Sequence, residues 1–177
     1  MTGGKMEIEV KVPVDCGEVG GLLERLKELG AAVEGPLREV DIYLLHPCRD
    51  VVARDEAVRV RLSGGRARLT YKGPRVGEGV KARLEVEADT EPRVLEVLEA
   101  LGFREGLRVV KSRYYARLGR ALVTLDKVEG LGCFVEVESL RSDPRDLEEA
   151  IGALGLAGRP LVTESYASML AKRLGKL

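Results

Sequence analysis

The chain has 177 residues, a third of them charged, and its 29 Lys and Arg are balanced by 29 Asp and Glu. That length suits one domain able to bury about 70% of its unfolded surface, and a net charge of zero excludes a general polyanion binder, so neither nucleic acid nor an anionic membrane is an expected partner. No apolar run approaches the roughly 20 residues of a membrane span and no leader pattern opens the chain, while three cysteines without a Cys-x-x-Cys pair give little support to a disulfide framework or a zinc ribbon, so a reducing, cytoplasmic setting is expected.

Met6 to Val12 alternates Ile8, Val10 and Val12 with Glu7, Glu9 and Lys11, the period of a β-strand with one apolar and one charged face. Asp15 and Glu18 then form a capping box before an amphipathic helix carrying Val19, Leu22, Leu23, Leu26 and Leu29 and ending at Gly30. Strands are predicted over Glu39–Leu45, Ala57–Leu62 and Arg66–Lys72, the last two joined by a tight turn at Gly64-Gly65. Another runs from Val80 to Ala88. A second helix follows, with Thr90 as its cap two residues before Pro92, with Val94, Leu95, Leu98 and Leu101 on its apolar stripe, and with Gly102 at its end. Strands Arg108–Leu118, Arg120–Val128 and Cys133–Ser139 precede a third helix, capped by Asp143 before Pro144 and closed by Gly155. Three times, then, a Glu-x-Glu strand leads into a cap, a helix and Leu-Gly, which marks duplication within one fold. The fold class is α+β, dominated by antiparallel sheet.

Alternate residues along the strands collect the charges. Glu7, Glu9 and Lys11 share a face, as do Arg59 and Arg61, then Arg66, Arg68 and Lys72, then Lys81, Arg83, Glu85 and Glu87, then Lys111 and Arg113, and finally Glu136 and Glu138. The opposite faces are apolar, and each helix offers one stripe to cover them, so the helices belong outside and the charged faces look at one another. Eight strands are enough to close a barrel round a small ligand. Charges confined there lose hydration unless matched: they either neutralise one another, as in the ion-pair networks of heat-adapted proteins, or await a ligand with several charges of its own. The absence of Asn, Gln and Trp is consistent with a heat-adapted source. Arg and Lys in fork geometry suit phosphates, and carboxylates without His or Cys suit Mg²⁺ or Mn²⁺. His46 is the single histidine, which argues against imidazole catalysis and zinc, and no phosphate-cradling loop of the GxxxxGK[ST] type occurs. With two Phe and five Tyr, no stacking platform for an organic ring is evident, which favours recognition through phosphates.

The segments EIEVK (Glu7–Lys11), DIYLLHPCRD (Asp41–Asp50), DEAVRVR, LTYKGP, KARLEVE, KSRYY, TLDKVEGLGCFVEVE and TESYASML, in this order along nearly the whole chain, resemble the CYTH superfamily of triphosphate tunnel proteins, and its class IV adenylyl cyclase branch more than its thiamine triphosphatase branch. The resemblance implies a closed eight-stranded antiparallel barrel with helices outside, a single domain over residues 1–177 and a C-terminal helix at 163–175 as tunnel cover. It implies that Glu7, Glu9, Asp126, Glu136 and Glu138 hold one or two divalent ions. Lys11, Arg59, Arg61, Lys72, Arg83, Lys111 and Arg113 would hold phosphates, with Tyr166 in the cover. Glu9, Lys11 and Glu136 would carry catalysis. The chain has Leu84 where the family's strand often carries a further acid, so Glu85 and Glu87 are expected to orient arginines. The implied substrate is ATP, thiamine triphosphate or inorganic triphosphate; the implied reactions are cyclisation of ATP to cyclic AMP or hydrolysis to orthophosphate, a non-catalytic polyphosphate-binding module is a third reading, and a homodimer is the family expectation.

Overall fold

The computed structural model describes residues 4–77 and 82–176, so the predicted strand start at Val80 and Lys81 lies outside the described residues. Eight antiparallel strands form one closed barrel: β1 (Lys5–Val14), β2 (Val33–Leu45), β3 (Ala57–Ser63), β4 (Arg66–Lys72), β5 (Ala82–Thr90), β6 (Arg104–Leu118), β7 (Ala121–Val128) and β8 (Gly132–Ser139). Their order round the barrel is β1-β5-β4-β3-β2-β6-β7-β8, and closure is made where β1 meets β8, with Lys11 opposite Glu136 and Val12 opposite Val135. On its other edge β1 pairs with β5 from Lys5 to Ile8 among the described residues. Further along that strand the backbone of Val162 exchanges two 2.8 Å hydrogen bonds with Lys11.

The helices α1 (Val19–Glu28), α2 (Val94–Ala100) and α3 (Pro144–Ala153) lie outside, as their stripes demand. Leu22 and Leu26 of α1 and Leu147, Ala150 and Ile151 of α3 bury against the outward faces of β1, β7 and β8, in a core that includes Val10, Val12, Val123, Leu125, Val135 and Val137. Leu98 of α2 joins a smaller cluster with Ile42, Leu44, Val60 and Ala67. At roughly 1.5–3 kcal/mol for each large aliphatic side chain buried, this outer layer supplies the hydrophobic stabilisation that a charged interior cannot.

Local chemistry sets most boundaries. The Asp15 and Glu18 capping box is present, Asp143 accepts from the Arg145 amide, and Gly64 and Gly65 both adopt positive φ, 54° and 78°, the geometry of a two-residue hairpin turn. Thr90 is not the cap of α2: β5 runs through it, and the cap position is Arg93, which makes no side-chain capping bond. A fourth helix, α4 (Tyr166–Arg173), is capped by Ser165 and sits across one end of the barrel. Among the described residues no helix is long and apolar enough to cross a membrane.

One expectation is overturned. Cys16 and Cys133 are joined in a disulfide across a sequence separation of 117, leaving Cys48 as the free thiol. The register explains it: Val14 lies opposite Cys133 at the end of the β1–β8 pair, and the turn after Val14 brings Cys16 back over it. An odd cysteine count therefore conceals one bridge. Closing so long a loop restricts the unfolded chain by about 4–5 kcal/mol. The Cys16→Ser, Cys133→Ser double variant should thus unfold at lower denaturant than the oxidised protein by that order; equal midpoints would remove the bridge from the stability account.

Candidate functional site

Inside the barrel is a cavity of about 410 Å³ whose walls are mostly charged side chains. Lys5, Lys11, Arg59, Arg61, Arg68, Lys72, Arg83, Lys111 and Arg113 face Glu7, Glu9, Asp41, Glu85, Glu87, Glu136 and Glu138 across it, nine cations to seven carboxylates. Each comes from the inward parity of its strand.

The charges are ordered into two groups. On the wall where β1 meets β5 and β8, Glu7 lies 2.5 Å from Lys72 and 3.1 Å from Arg83, Lys11 lies 2.6 Å from Glu9 and 3.2 Å from Glu136, and Glu138 is paired with Lys5. On the wall of β2, β3 and β6, Asp41 receives a two-pronged hydrogen bond from Arg61 at 2.6 and 2.9 Å and another from Lys111 at 2.5 Å, while Glu39 lies 3.2 Å from Arg61 and 3.3 Å from Lys111 and accepts from the Tyr115 hydroxyl. Glu85 lies 3.0 Å from Lys72, and Glu87 accepts from Thr70, which in turn accepts from Arg59. Glu85 thus sits on a lysine, where an arginine was expected, while Glu87 lies 3.7 Å from Arg59 and 3.6 Å from Arg68. Arg59, which lines the cavity, nevertheless keeps a buried Nε with no hydrogen-bond partner.

The electrostatics divide along the same lines. Burial would raise the Asp41 carboxyl, but Arg59, Arg61 and Lys111 outweigh it and hold it well below the usual range. Burial together with Arg113 and Arg61 drives the Lys111 ammonium down to about 8 despite its two acid partners. Burial and the neighbouring Glu9 push the Glu7 carboxyl up to about 7 against the pull of Lys72. Burial raises Glu138 as well, more than Lys5 lowers it. Against burial, Lys11, Lys72 and Arg83 keep Glu9 ionised, and Glu9 and Glu136 keep Lys11 charged. One wall thus carries cations crowded by cations and the other acids crowded by acids.

Among the described residues no three His, Cys, Asp or Glu side chains are grouped closely enough to form a ready metal site, because Lys and Arg stand between the acids. The donor chemistry still fits a hard divalent cation. Glu9 lies opposite Glu138 in the β1–β8 register and Glu136 is one inward position away, while burial first and neighbouring acids second raise Glu7 and Glu138 against the pull of their cations.

Asp126 is placed differently from the expectation. Its carboxylate is fully buried, does not line the cavity, and is occupied by two 2.5 Å hydrogen bonds from Arg113, a 2.7 Å bond from the Tyr166 hydroxyl and a 3.4 Å bond from Thr124. It is a positioning residue for Arg113 and Tyr166. Tyr166 itself is buried with its ring 5.2 Å from the Lys11 ammonium, and beside it Phe134, Val109 and Val128 fill the end of the barrel beneath α4. The cavity is therefore a cup, apolar at its covered end. Sequence reasoning missed Glu39, Asp41, Thr70 and Tyr115 as lining or supporting groups. The alternation of Glu39, Asp41 and Tyr43 along β2 was the available signal.

The CYTH domain family matches residues 5–165 of the chain. A Methanocaldococcus jannaschii protein named "Putative adenylate cyclase MJ0240" is 31% identical over 173 residues, 93% of this chain and 98% of that protein. The structure of PH1819 from Pyrococcus horikoshii OT3 superposes with a TM-score of 0.76 at 34% identity, covering 94% of this chain and 99% of that one. The Hippeastrum protein described as "Putative adenylyl cyclase HpAC1", with a dominant triphosphatase activity, shares the fold at 19% identity, with a TM-score of 0.63 and 97% and 96% of the two chains covered. With a charged cup at the centre of a closed eight-stranded barrel and a match over nearly all its length, this chain belongs to the CYTH family.

Proposed function

We propose that the cup binds the triphosphate group of ATP and that the protein is a divalent-metal-dependent cyclase of the class IV adenylyl cyclase type, forming cyclic AMP and pyrophosphate. The observation that supports this most is the pair of opposed walls: cations crowded by cations, with an unpaired Arg59 Nε among them, facing acids crowded by acids. A chain of phosphates would relieve the first wall and a divalent cation the second. The name borne by the Methanocaldococcus relative agrees.

In this reading Arg59, Arg61, Lys111 and Arg113 engage phosphate oxygens from one side, and Lys11, Lys72 and Arg83 from the other. The ribose 3′-oxygen forms a bond to the α-phosphorus as the bond from that phosphorus to the β-phosphate bridging oxygen breaks, and pyrophosphate carries away the electron pair. Negative charge grows on the leaving group, where fixed cations already stand, so their orientation need not change during the step. Lys11 stays protonated throughout; its part is to neutralise, and the hydroxyl proton goes to an acid of the β1–β8 wall. Mg²⁺ or Mn²⁺ held by Glu9, Glu136 and Glu138, with Glu7 beside them, would lower the pKa of the attacking hydroxyl and share the phosphate charge. Asp126 keeps Arg113 aimed.

A second reading, hydrolysis with release of orthophosphate, is favoured by the dominant triphosphatase activity ascribed to HpAC1. It uses the same cup, with water attacking the terminal phosphorus instead. The setting fits the cytoplasm of a heat-adapted cell, where Cys16–Cys133 is compatible with intracellular life.

Product analysis separates the readings. Incubation with ATP and Mg²⁺ or Mn²⁺ at elevated temperature should give cyclic AMP with pyrophosphate; ADP with orthophosphate from ATP, or orthophosphate with pyrophosphate from inorganic triphosphate, would favour hydrolysis, and binding without turnover would leave a binding module. Glu9→Gln and Glu136→Gln should each lower turnover by roughly 10²–10³ with the fold intact, and undiminished rates in both would remove the acid wall from the mechanism.

Two linkage effects follow from the walls. Phosphates entering beside Lys111 should restore it to full charge, so triphosphate binding near pH 8 should take up protons, seen by calorimetry in buffers of different ionisation heat, and Lys111→Arg should abolish that uptake. For Glu7 the folded carboxyl at about 7 lies above its usual 4.5, so the folded state holds more protons than the unfolded state between those values. Stability in metal-free buffer should then fall as pH rises from 5 to 8, by on the order of 3 kcal/mol from this group. Glu7→Gln should flatten the decline, and an unchanged slope would contradict the assignment.

A further inference from the structure

A second set of cations lies outside the barrel, where β2, β6 and β7 run side by side near the end of α4. Arg38 stands opposite Ser112 in the β2–β6 register, and Ser112 opposite Lys127 in the β6–β7 register. On either side of Ser112 in the chain, Lys111 and Arg113 line the cup, so these three residues form one row on the outer face. Strands lie about 4.8 Å apart, which sets the Arg38 and Lys127 backbones about 10 Å from one another with Ser112 between them. The row lines a cavity of about 660 Å³ whose other walls are the β7–β8 turn, Glu129 to Gly132, and Arg173 in the last turn of α4.

Its charge distinguishes this cavity from the cup. The cations of the cup each stand beside an acid, whereas Arg38, Lys127 and Arg173 have no carboxylate within 4.0 Å among the described residues, and Glu129 is the single acid in the walls. The walls are also held in place. The row continues from Lys127 to Cys133, which the disulfide ties to Cys16, and Gly130 turns at a φ of 77° so close to α4 that a Cβ there would stand 3.3 Å from Leu170. Three cations against one acid select an anion, and a guanidinium and an ammonium flanking a hydroxyl are donors that phosphoryl oxygens accept from. We propose that this outer cavity binds a small phosphate anion of the pyrophosphate class, with one phosphoryl group at Arg38, the other at Lys127, the Ser112 hydroxyl donating between them and Arg173 closing from α4. The site is separate from the cup and does not rest on the triphosphate reading. It does bear on the cup, because three of its donors belong to the barrel wall and the fourth to the helix that covers the barrel. That helix is fastened at its start, where Val162 pairs with Lys11 and Arg75 donates to the Thr163 carbonyl at 3.5 Å. An anion shared by Arg173 and the sheet fastens its other end, so occupancy of the outer site steadies the cover.

The test titrates the full chain with inorganic pyrophosphate in metal-free buffer and follows backbone amide resonances, which read the two sites separately. Glu129, Gly130 and Arg173 report the outer cavity, and Glu7 and Glu136 report the cup. Saturable shifts are expected at the first three. Arg38→Glu and Lys127→Glu, both at exposed positions, should each raise the pyrophosphate concentration needed for those shifts roughly tenfold or more, while leaving any shifts of Glu7 and Glu136 within about twofold. Arg59→Ala should do the reverse. Sodium chloride at matched ionic strength should give no saturable shift; equal shifts would reduce the outer cavity to a screened surface and overturn the proposal. So would shifts at Glu129 and Arg173 whose midpoints ignore both charge reversals, whatever the cup does. For the cover, pyrophosphate should slow hydrogen exchange of the α4 amides about twofold or more, and Arg173→Ala should remove that slowing. Slowing that survives Arg173→Ala and is lost in Arg59→Ala would assign it to the cup and sink the link between the outer site and α4.

Discussion

Everything in this molecule depends on the pairing of its first strand with its last. The β1–β8 register sets Glu9 opposite Glu138 and Lys11 opposite Glu136, and only that pairing turns an open sheet with a charged face into an enclosed space. The consequence is energetic as well as geometric. In an open sheet these side chains would sit in water, where an ion pair contributes about 1 kcal/mol or less and a ligand meets screened charges. Enclosed, the same groups lose hydration worth several kcal/mol each, must be matched, and retain long-range fields. The outer helices make this sustainable, because the apolar core that drives folding lies between barrel and helices and not within the barrel. The fold separates stability, outside, from charge, inside.

That separation explains what could be read from the residues. Period-two alternation assigns each strand position to one of two faces, and an apolar helical stripe identifies which face must be covered. Glu7, Glu9, Arg59, Arg61, Lys72, Lys111, Arg113 and Glu136 all fell inward for that reason. Parity says in or out; it says nothing of depth along the barrel axis. Depth follows from the stagger accumulated over all eight registers, which no local pattern encodes. Hence Asp126, inward by parity like Glu136, lies too deep to line the cavity and instead anchors Arg113 and Tyr166. Val109, Val128 and Phe134 are inward too, yet form an apolar floor under α4. The disulfide was hidden on the same grounds, since Cys16 and Cys133 become neighbours only once the barrel has closed. Glu39 and Asp41 are inward by the same parity, but Tyr43 follows them on that face, so β2 shows a shorter row of charges than β1.

Depth also gives the cup a direction. At the floor the inward groups are Tyr166, Phe134 and Val109, and the nearest charges, Lys11, Lys111 and Arg113, are each gripped by acids or by an aromatic face. At the mouth the groups are Arg68, Glu87 and Lys5, whose side chains are 49%, 35% and 43% exposed. A charge entering from the mouth therefore moves from partners partly screened by water to desolvated ones, so each step inward exchanges water for fixed donors whose fields are less screened.

This gradient bears on why the interior is built from opposed pairs and not from cations alone. Nine cations lining one cavity without acids would repel one another and bar the chain from closing. With acids interleaved, the barrel closes nearly neutral, and what remains is seen where burial adds to like-charge neighbours: Lys111 is lowered beside Arg113 and Arg61, and Glu7 is raised beside Glu9 and Glu138 beside Glu9 and Glu85. A ligand of one sign alone would relieve one of these and aggravate the other through the shared pairs. A polyanion accompanied by a divalent cation would relieve both. The selectivity is thus a property of the closed set of pairs, and no single side chain carries it.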